Sequence, residues 1–374
     1  MTGTSSRALR IGIDGRELEG KPTGVGRYLR SLLRRFALHE RHQFVVYSTS
    51  EVSLPSTSRR IETRVLAGGH PLIWEQSRLP RALDADRIDV LLSPAYSCPL
   101  SGPTPRVTAI HDLSFFARRE EFGFIHGSRR RAMARFSARV SRSILACSEF
   151  TRAEIRRHLG EAAASKTQVV RLGPDDDLPP GPGRIESRAA LGLGEGEAYV
   201  ITIGTILRRR NVSTLVRAVA KLRREDAAVR LGVIGENRSL PFEDVMALAA
   251  SLGVSGAVRV SGFVTDEEIA RHYAAADVAV FLSEYEGFGL PALEAMSRGV
   301  PTIIANRGSL NEMFARGALV VEPEEATVAQ ALSGLISSQA ASADLRGKGL
   351  ERAKTFSWER AAAETLAVIE GAAA

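Results

Sequence analysis

Short continuous apolar runs alternate along the chain with stretches whose apolar residues recur every three or four positions. In the first half the runs are "LRIGI" from residue 9, "QFVVYS" from 43, "DVLLS" from 89, "RVTAI" from 106 and "SILAC" from 143. In the second half they are "AYVITIG" from 198, "VRLGVIG" from 229, "AVRVSG" from 257, "DVAVFLS" from 277, "VPTIIA" from 300 and "GALVVE" from 317. A strand with one wet face alternates apolar and polar residues. Continuous runs predict strands covered on both faces, as in a parallel sheet with helices above and below.

The intervening stretches predict those helices. "NVSTLVRAVAKLRRE" puts Val212, Leu215, Val216 and Val219 on one face. "TDEEIARHYAAA" opens with Thr265 and Glu268, the spacing of a capping box. "PALEAMSRG" has Pro291 where a helix begins and Gly299 where one ends. Between the halves, "LGPDDDLPPGPGR" concentrates Pro, Gly and Asp, residues that suit turns and build no core. The expectation is an α/β protein of two doubly wound parallel-sheet domains, 1–175 and 185–355. Such sheets bind ligands beyond the carboxyl ends of their strands, so a cleft between the domains is the expected site.

Composition narrows the class. A hydrophobic content of 44% and a charged content of 25% are those of a globular protein. No stretch approaches the roughly 20 apolar residues of a membrane span, and "MTGTSSRALRIGIDG" holds no apolar segment of signal-peptide length, so no export signal is expected. Cys98 and Cys147 lie far apart in no metal spacing and are expected to be buried free thiols. The seven histidines form no H-x-x-x-H pair, so no metal is expected. Charge is unevenly shared: residues 1–175 hold 29 Lys+Arg against 17 Asp+Glu, and the remainder 21 against 26. A basic first half points to an anionic partner there. Aromatic residues make up only 6% of the chain and do not interleave with the basic ones, which argues against nucleic acid.

Four stretches carry candidate chemistry. In "GKPTGVGRYLRSLL", Gly24 and Gly26 open a helix after the strand ending at Asp14. Such glycines let backbone N–H groups approach an anion, or simply make a tight turn. In "IGTILRRRNV", a strand ends at Gly204 and Arg208, Arg209 and Arg210 precede a helix. Three cations at a helix N-terminus oppose its dipole, which predicts an anion, a diphosphate by geometry, bound among them; the alternative is a solvated charge run. In "AIHDLSFF", His111 and Asp112 end an apolar strand. In "SEYEGFGLPALEAMSRG", Glu286 and Glu294 flank a Gly-Phe-Gly turn. The D-x-D strings Asp84/Asp86 and Asp175/Asp177 do not end apolar strands and read as solvated.

Together these stretches resemble glycosyltransferase family 4, the retaining, metal-independent transferases of the B-type (GT-B) fold, in which two Rossmann-like domains face each other across a cleft. The pieces stand in the family's order, and the most specific is the E-x7-E pair Glu286 and Glu294 inside "EGFGLPALEAM". The resemblance implies that Glu294 holds the nucleotide ribose and Glu286 the donor sugar. It implies that backbone N–H groups of Phe288, Gly289 and Leu290 seat sugar and diphosphate, and that Gly204 also binds the donor. Arg209 and Arg210 would neutralise the leaving diphosphate; the family usually has Lys where this chain has Arg210. His111 would meet the donor sugar, Phe263 and Val264 the base, and Gly24 and Gly26 the phosphates and acceptor. Residues 356–374, from Trp358 on, would cross back to the first domain.

The implied reaction moves a sugar from a nucleotide-diphosphate donor to a hydroxyl of a glycan or lipid-linked acceptor in polysaccharide or glycolipid assembly, without a cofactor. GDP-mannose is the first donor, because this branch of the family includes mannosyltransferases, with UDP-sugars next. The basic stretch "GSRRRAMARFSARVSRS" places Arg131, Arg135, Arg139 and Arg142 near one helical face, which either meets an anionic membrane surface or stays solvated. The expected place is the cytoplasm, peripheral at the inner face of the membrane in the first case. The rival readings are a nucleotide-sugar epimerase or hydrolase on the same fold, and a non-catalytic partner subunit.

Overall fold

The computed structural model describes residues 7–21, 23–54, 58–175 and 178–374. The chain divides into two compact units. The first comprises Met1–Ala117, Phe124–Gly173 and Ser357–Ala374; the second comprises Arg118–Gly123 and Pro174–Phe356.

The first unit carries seven strands: β1 (Arg10–Asp14), β2 (Gln43–Ser48), β3 (Ile61–Val65), β4 (Val90–Ser93), β5 (Arg106–Ile110), β6 (Ser143–Ala146) and β7 (Thr167–Val169). They lie in the order β3-β2-β1-β4-β5-β6-β7, with every neighbour parallel. The second unit carries six: β8 (Ala198–Ile203), β9 (Val229–Ile234), β10 (Val258–Ser261), β11 (Val278–Phe281), β12 (Thr302–Ala305) and β13 (Leu319–Val321). Their order is β10-β9-β8-β11-β12-β13, again all parallel. The apolar runs are these strands: β4, β5, β11 and β12 are buried at every position. In each sheet the chain order reverses once, between β1 and β4 and between β8 and β11. These reversals are the points at which doubly wound sheets open a crevice at their carboxyl ends.

Six helices position the residues of interest: α1 (Gly24–Phe36), α2 (Phe124–Val140), α3 (Val212–Arg224), α4 (Asp266–Ala275), α5 (Leu290–Ser297) and α6 (Trp358–Ala373). α3 buries Val212, Leu215, Val216 and Val219, the predicted face, in the core of the second unit. α4 starts in the predicted capping box, with Thr265 accepting from Glu268 N–H and the Glu268 side chain accepting from Thr265 N–H. α5 has Pro291 in its first turn, where a missing N–H costs nothing, and stops before Gly299. α6 belongs to the first unit, where Glu359 pairs with Arg35 at 2.7 Å and Glu370 meets the buried His42 ring at 2.7 Å.

Cys98 and Cys147 are buried thiols outside any disulfide, as expected. Among the described residues no helix is long and apolar enough to cross a membrane. Asp86 departs from the expected solvated state: its carboxylate accepts from Tyr47 Oη at 2.7 Å and pairs with Arg64, which anchors the end of a helix to β2 and β3. Asp177 lies outside the described residues.

Candidate functional site

The reversal between β8 and β11 gathers most of the predicted residues of the second unit. A cleft at the carboxyl ends of these strands is lined by Gly204, Arg210, Ser283, Glu286 and Gly289. Gly204 leaves β8 with φ +123°, and a Cβ there would overlap the Arg210 guanidinium, so both conformation and close approach require glycine. Arg208–Arg210 form one 3-10 turn, and Asn211 follows in the left-handed region. Two hydrogen bonds fasten this turn to the end of β11: Asn211 Nδ2 to Leu282 O at 3.0 Å and Glu284 N to Arg209 O at 2.8 Å.

The three arginines do not converge on one anion. Arg208 pairs with Glu243 at 3.3 Å, Arg209 with Glu121 at 2.5 Å, and Arg210 with Glu286 at 3.0 Å. Each guanidinium has its own carboxylate, and this offsets the repulsion that the sequence suggested a shared ligand would relieve. Arg210 Nε is nonetheless buried and has no hydrogen-bond partner among the described residues. Glu121 comes from Arg118–Gly123, the short segment that belongs with this unit, and Arg118 pairs with Glu284.

Glu286 and Glu294 occupy different surroundings. Glu286 lines the cleft and accepts from Ser283 Oγ at 3.0 Å as well as from Arg210. Its main-chain oxygen accepts from Ser309 Oγ at 2.6 Å, which pins the turn. Glu294 lies on α5, is 4% exposed, and accepts from Tyr273 Oη at 3.0 Å. Gly289 caps the start of α5, so the N–H groups of Gly289 and Leu290 lie at the positive end of that helix. The Phe288 ring is core, edge-on to Phe314 and Phe356. Phe263 and Val264 follow β10, and the Phe263 ring is 52% exposed.

In the first unit, His111 follows β5. Its Nε2 lies 2.9 Å from Pro94 O, and a carbonyl only accepts, so Nε2 carries the proton. Burial lowers the His111 pKa, offset in part by that hydrogen bond, so the ring is neutral at pH 7 and presents Nδ1 as an acceptor. Tyr28 packs edge-on against it, 4.6 Å between centroids. Gly26 departs from the anion-loop reading: its N–H donates to Thr23 Oγ1, the cap of α1, at 2.9 Å, and a Cβ there would lie 2.5 Å from Glu17 O. Its small size serves packing, while Gly24 stays open to solvent.

Residues 183–352 match the family described as glycosyl transferases group 1, and residues 22–178 match Glycosyltransferase Family 4. O-antigen chain mannosyltransferase B of Escherichia coli is 30% identical over 371 residues, covering 92% of this chain and 95% of that one. The chain is a group 1 glycosyltransferase. MMP alpha-(1->4)-mannosyltransferase of Mycolicibacterium hassiacum is 35% identical over 245 residues, 63% of this chain and 56% of that one. Among solved structures, Anabaena HepE in complex with UDP and glucose aligns with a TM-score of 0.76 at 19% identity, over 96% of this chain and 99% of that one. The glycosyltransferase thus has the two-domain GT-B fold, with parallel sheets of seven and six strands.

Several residues around this candidate site escaped sequence reasoning. Tyr273 and Ser309 read as helix-face residues, and only their hydroxyls mark them. Glu121 sits in a run of mixed charge that carries no motif. The basic stretch also differs from expectation. Arg131, Arg135 and Arg139 lie on α2, but α2 ends at Val140 and leaves Arg142 on the approach to β6. Arg131 is drawn inward to Phe115 O at 3.0 Å, and Arg135 stacks 4.8 Å over the Phe116 ring. Two apolar residues at the start of α2 stand in solvent as well: Phe124 is 85% and Ile125 77% exposed.

Proposed function

We propose that this glycosyltransferase moves a hexosyl group, mannose in the first instance, from a nucleoside-diphosphate donor to a hydroxyl of a glycan or lipid-linked acceptor in polysaccharide or glycolipid assembly, with retention at the anomeric carbon. The observation that carries the reading is the Arg210–Glu286 pair at the β8/β11 reversal, with Arg210 Nε buried and without a partner among the described residues. A phosphate oxygen supplies the acceptor that this N–H lacks. Glu294 then takes the ribose, Glu286 the donor sugar, and the N–H groups of Phe288, Gly289 and Leu290 the sugar and diphosphate. Gly204 leaves room for them, and Phe263 and Val264 flank the base. In the first unit, His111 serves the sugar and the loop at Gly24 the acceptor.

Breaking the bond to the anomeric carbon places negative charge on the diphosphate and positive charge on the ring. Arg209, Arg210 and the start of α5 supply the compensating potential, so we assign the reaction no metal. The acceptor oxygen attacks from the face that the diphosphate leaves, and its proton passes to a diphosphate oxygen. GDP-mannose is favoured because the Escherichia coli and Mycolicibacterium hassiacum relatives are named mannosyltransferases. A UDP-sugar is the second reading, favoured by the UDP and glucose held by HepE. Exposed Phe124 and Ile125 on the basic helix support a cytoplasmic enzyme peripheral to an anionic membrane face.

Transfer from GDP-mannose and from UDP-glucose, measured with and without EDTA, tests the proposal. Arg210→Ala is expected to lower turnover at least tenfold, about 1.4 kcal/mol, and EDTA to leave it unchanged. Near-normal turnover would remove Arg210 from the mechanism. Donor hydrolysis or isomerisation without an acceptor would favour the rival enzyme.

A further inference from the structure

The first sheet has its own reversal, between β1 and β4, and a built site lies there that the donor chemistry does not use. Asp14, which closes β1, and Glu75 are each 4% exposed, and they share Arg16. Arg16 Nη2 reaches Asp14 Oδ2 at 2.6 Å and Glu75 Oε1 at 2.7 Å, and its guanidinium lies 4.7 Å over the Trp74 ring. Ser97, from the loop after β4, donates to Glu75 Oε1 at 2.6 Å. Trp74–Arg78 is one turn of π-helix, a distortion that gathers at functional sites. Arg16 also reaches both Asp14 oxygens through Nε, at 3.0 and 3.2 Å, and Asp14 Oδ1 through its main-chain N–H at 3.2 Å, so that carboxylate is satisfied. Among the described residues, Glu75 Oε2 accepts only from Gln76 Nε2, at 3.1 Å, and keeps acceptor capacity over. Both carboxylates line a cavity of about 180 Å³. Arg129 and Arg130 of α2 line it too.

Beside this cavity runs an open groove of about 530 Å³, walled by Leu72, Ile73, Leu100, Met133 and Phe136. Leu72, Arg129 and Met133 line both, so the polar cavity opens directly into the apolar groove. Ile73 is 56% and Phe136 47% exposed, an unusual state for large apolar residues side by side. A hydroxyl-binding pocket, two cations and a greasy channel, in that order, match one kind of molecule.

We propose that the two cavities together bind a phospho-linked amphiphile. Its sugar or polyol hydroxyl donates to Glu75, which Arg16 and Asp14 hold in place, its phosphate lies at Arg129 and Arg130, and its hydrocarbon chain fills the groove along Ile73, Met133 and Phe136. The inference rests on the glycosyltransferase reading only in calling this molecule the acceptor; the binding site stands without it.

The test is calorimetric titration of the full chain with decyl phosphate, butyl phosphate and inorganic phosphate, all below the micellar range. Decyl phosphate is expected to bind at least tenfold tighter than butyl phosphate, since each fully buried methylene strengthens binding roughly fourfold. Phe136→Asp and Ile73→Glu, at exposed positions that leave the fold intact, are expected to bring decyl phosphate down to the butyl value. Arg129→Glu/Arg130→Glu is expected to weaken both alkyl phosphates. An Arg210→Ala protein, which lacks a phosphate ligand of the second unit, keeps the chain-length preference. Equal affinity for the two chain lengths overturns the proposal. So does a set of groove variants that lose sedimentation with anionic vesicles but bind decyl phosphate normally, which would make the patch a membrane contact. Because no donor is present, failure of sugar transfer and failure of this site are separate outcomes.

Discussion

A carboxylate as enclosed as Glu294 must be held by donors, because an unpaired buried charge is costly. Tyr273 supplies one, Oη to Oε2 at 3.0 Å, and thereby fixes the orientation in which Glu294 would meet a ribose. Tyr273→Phe removes that donor and keeps the ring. The expected outcome is a donor KM raised about fivefold, near 1 kcal/mol, with kcat within a factor of two, checked by steady-state kinetics; a fall in kcat at constant KM would mean that the hydroxyl acts elsewhere. The glutamates were legible in the sequence because the motif keeps them eight positions apart around glycines. Tyr273 was not, since its place on an amphipathic helix reads as core. Asp14, Arg16, Glu75 and Ser97 were less legible still, because they come from separate segments that only the sheet order brings together.

At the scale of elements, the buried interior strands announce themselves, and so do the edges of the second sheet, β10 and β13, but not those of the first. β3, "IETRV", buries only its first residue, and β7 has three residues, so neither shows the continuous apolar run that marks their neighbours. The Arg208–Arg210 turn likewise showed its charge but not its partners. Arg209 and Glu121 are 11% and 5% exposed, so their pair is nearly dry. A diphosphate can use Arg209 only by competing with that carboxylate. Glu121→Gln is therefore expected to lower the melting temperature of the free protein, because a buried guanidinium loses its counter-charge. It is also expected to enlarge the melting shift that inorganic pyrophosphate produces. An equal shift in both proteins would place Arg209 outside the anion site.

Across the whole molecule, each unit hides a histidine. In the first, His42 is fully buried; its Nδ1 accepts from Leu9 N–H at 3.1 Å, which leaves Nε2–H for Glu370. In the second, His272 Nδ1 lies 2.7 Å from Tyr199 Oη. Burial, more than neighbouring positive charge, lowers both pKa values from 6.5 to about 4. The unfolded chain takes up these protons first as pH falls. The stabilisation is thus complete above pH 6.5 and is lost progressively down to about pH 4. Urea midpoints are expected to drop steadily from pH 7 to pH 4.5, more shallowly in His42→Gln and His272→Gln proteins than in the parent; parallel profiles would refute the assignment.

The placement of α6 has a consequence for how the molecule is made. The ribosome delivers the first sheet, then Pro174–Phe356 of the second unit, and only afterwards Ser357–Ala374, which the first unit needs to cover α1 and close around His42. The unit begun first is completed last. During synthesis the second unit can settle while the first waits with an open flank, an interval in which Tyr28 and the strands β4 to β6 await their cover.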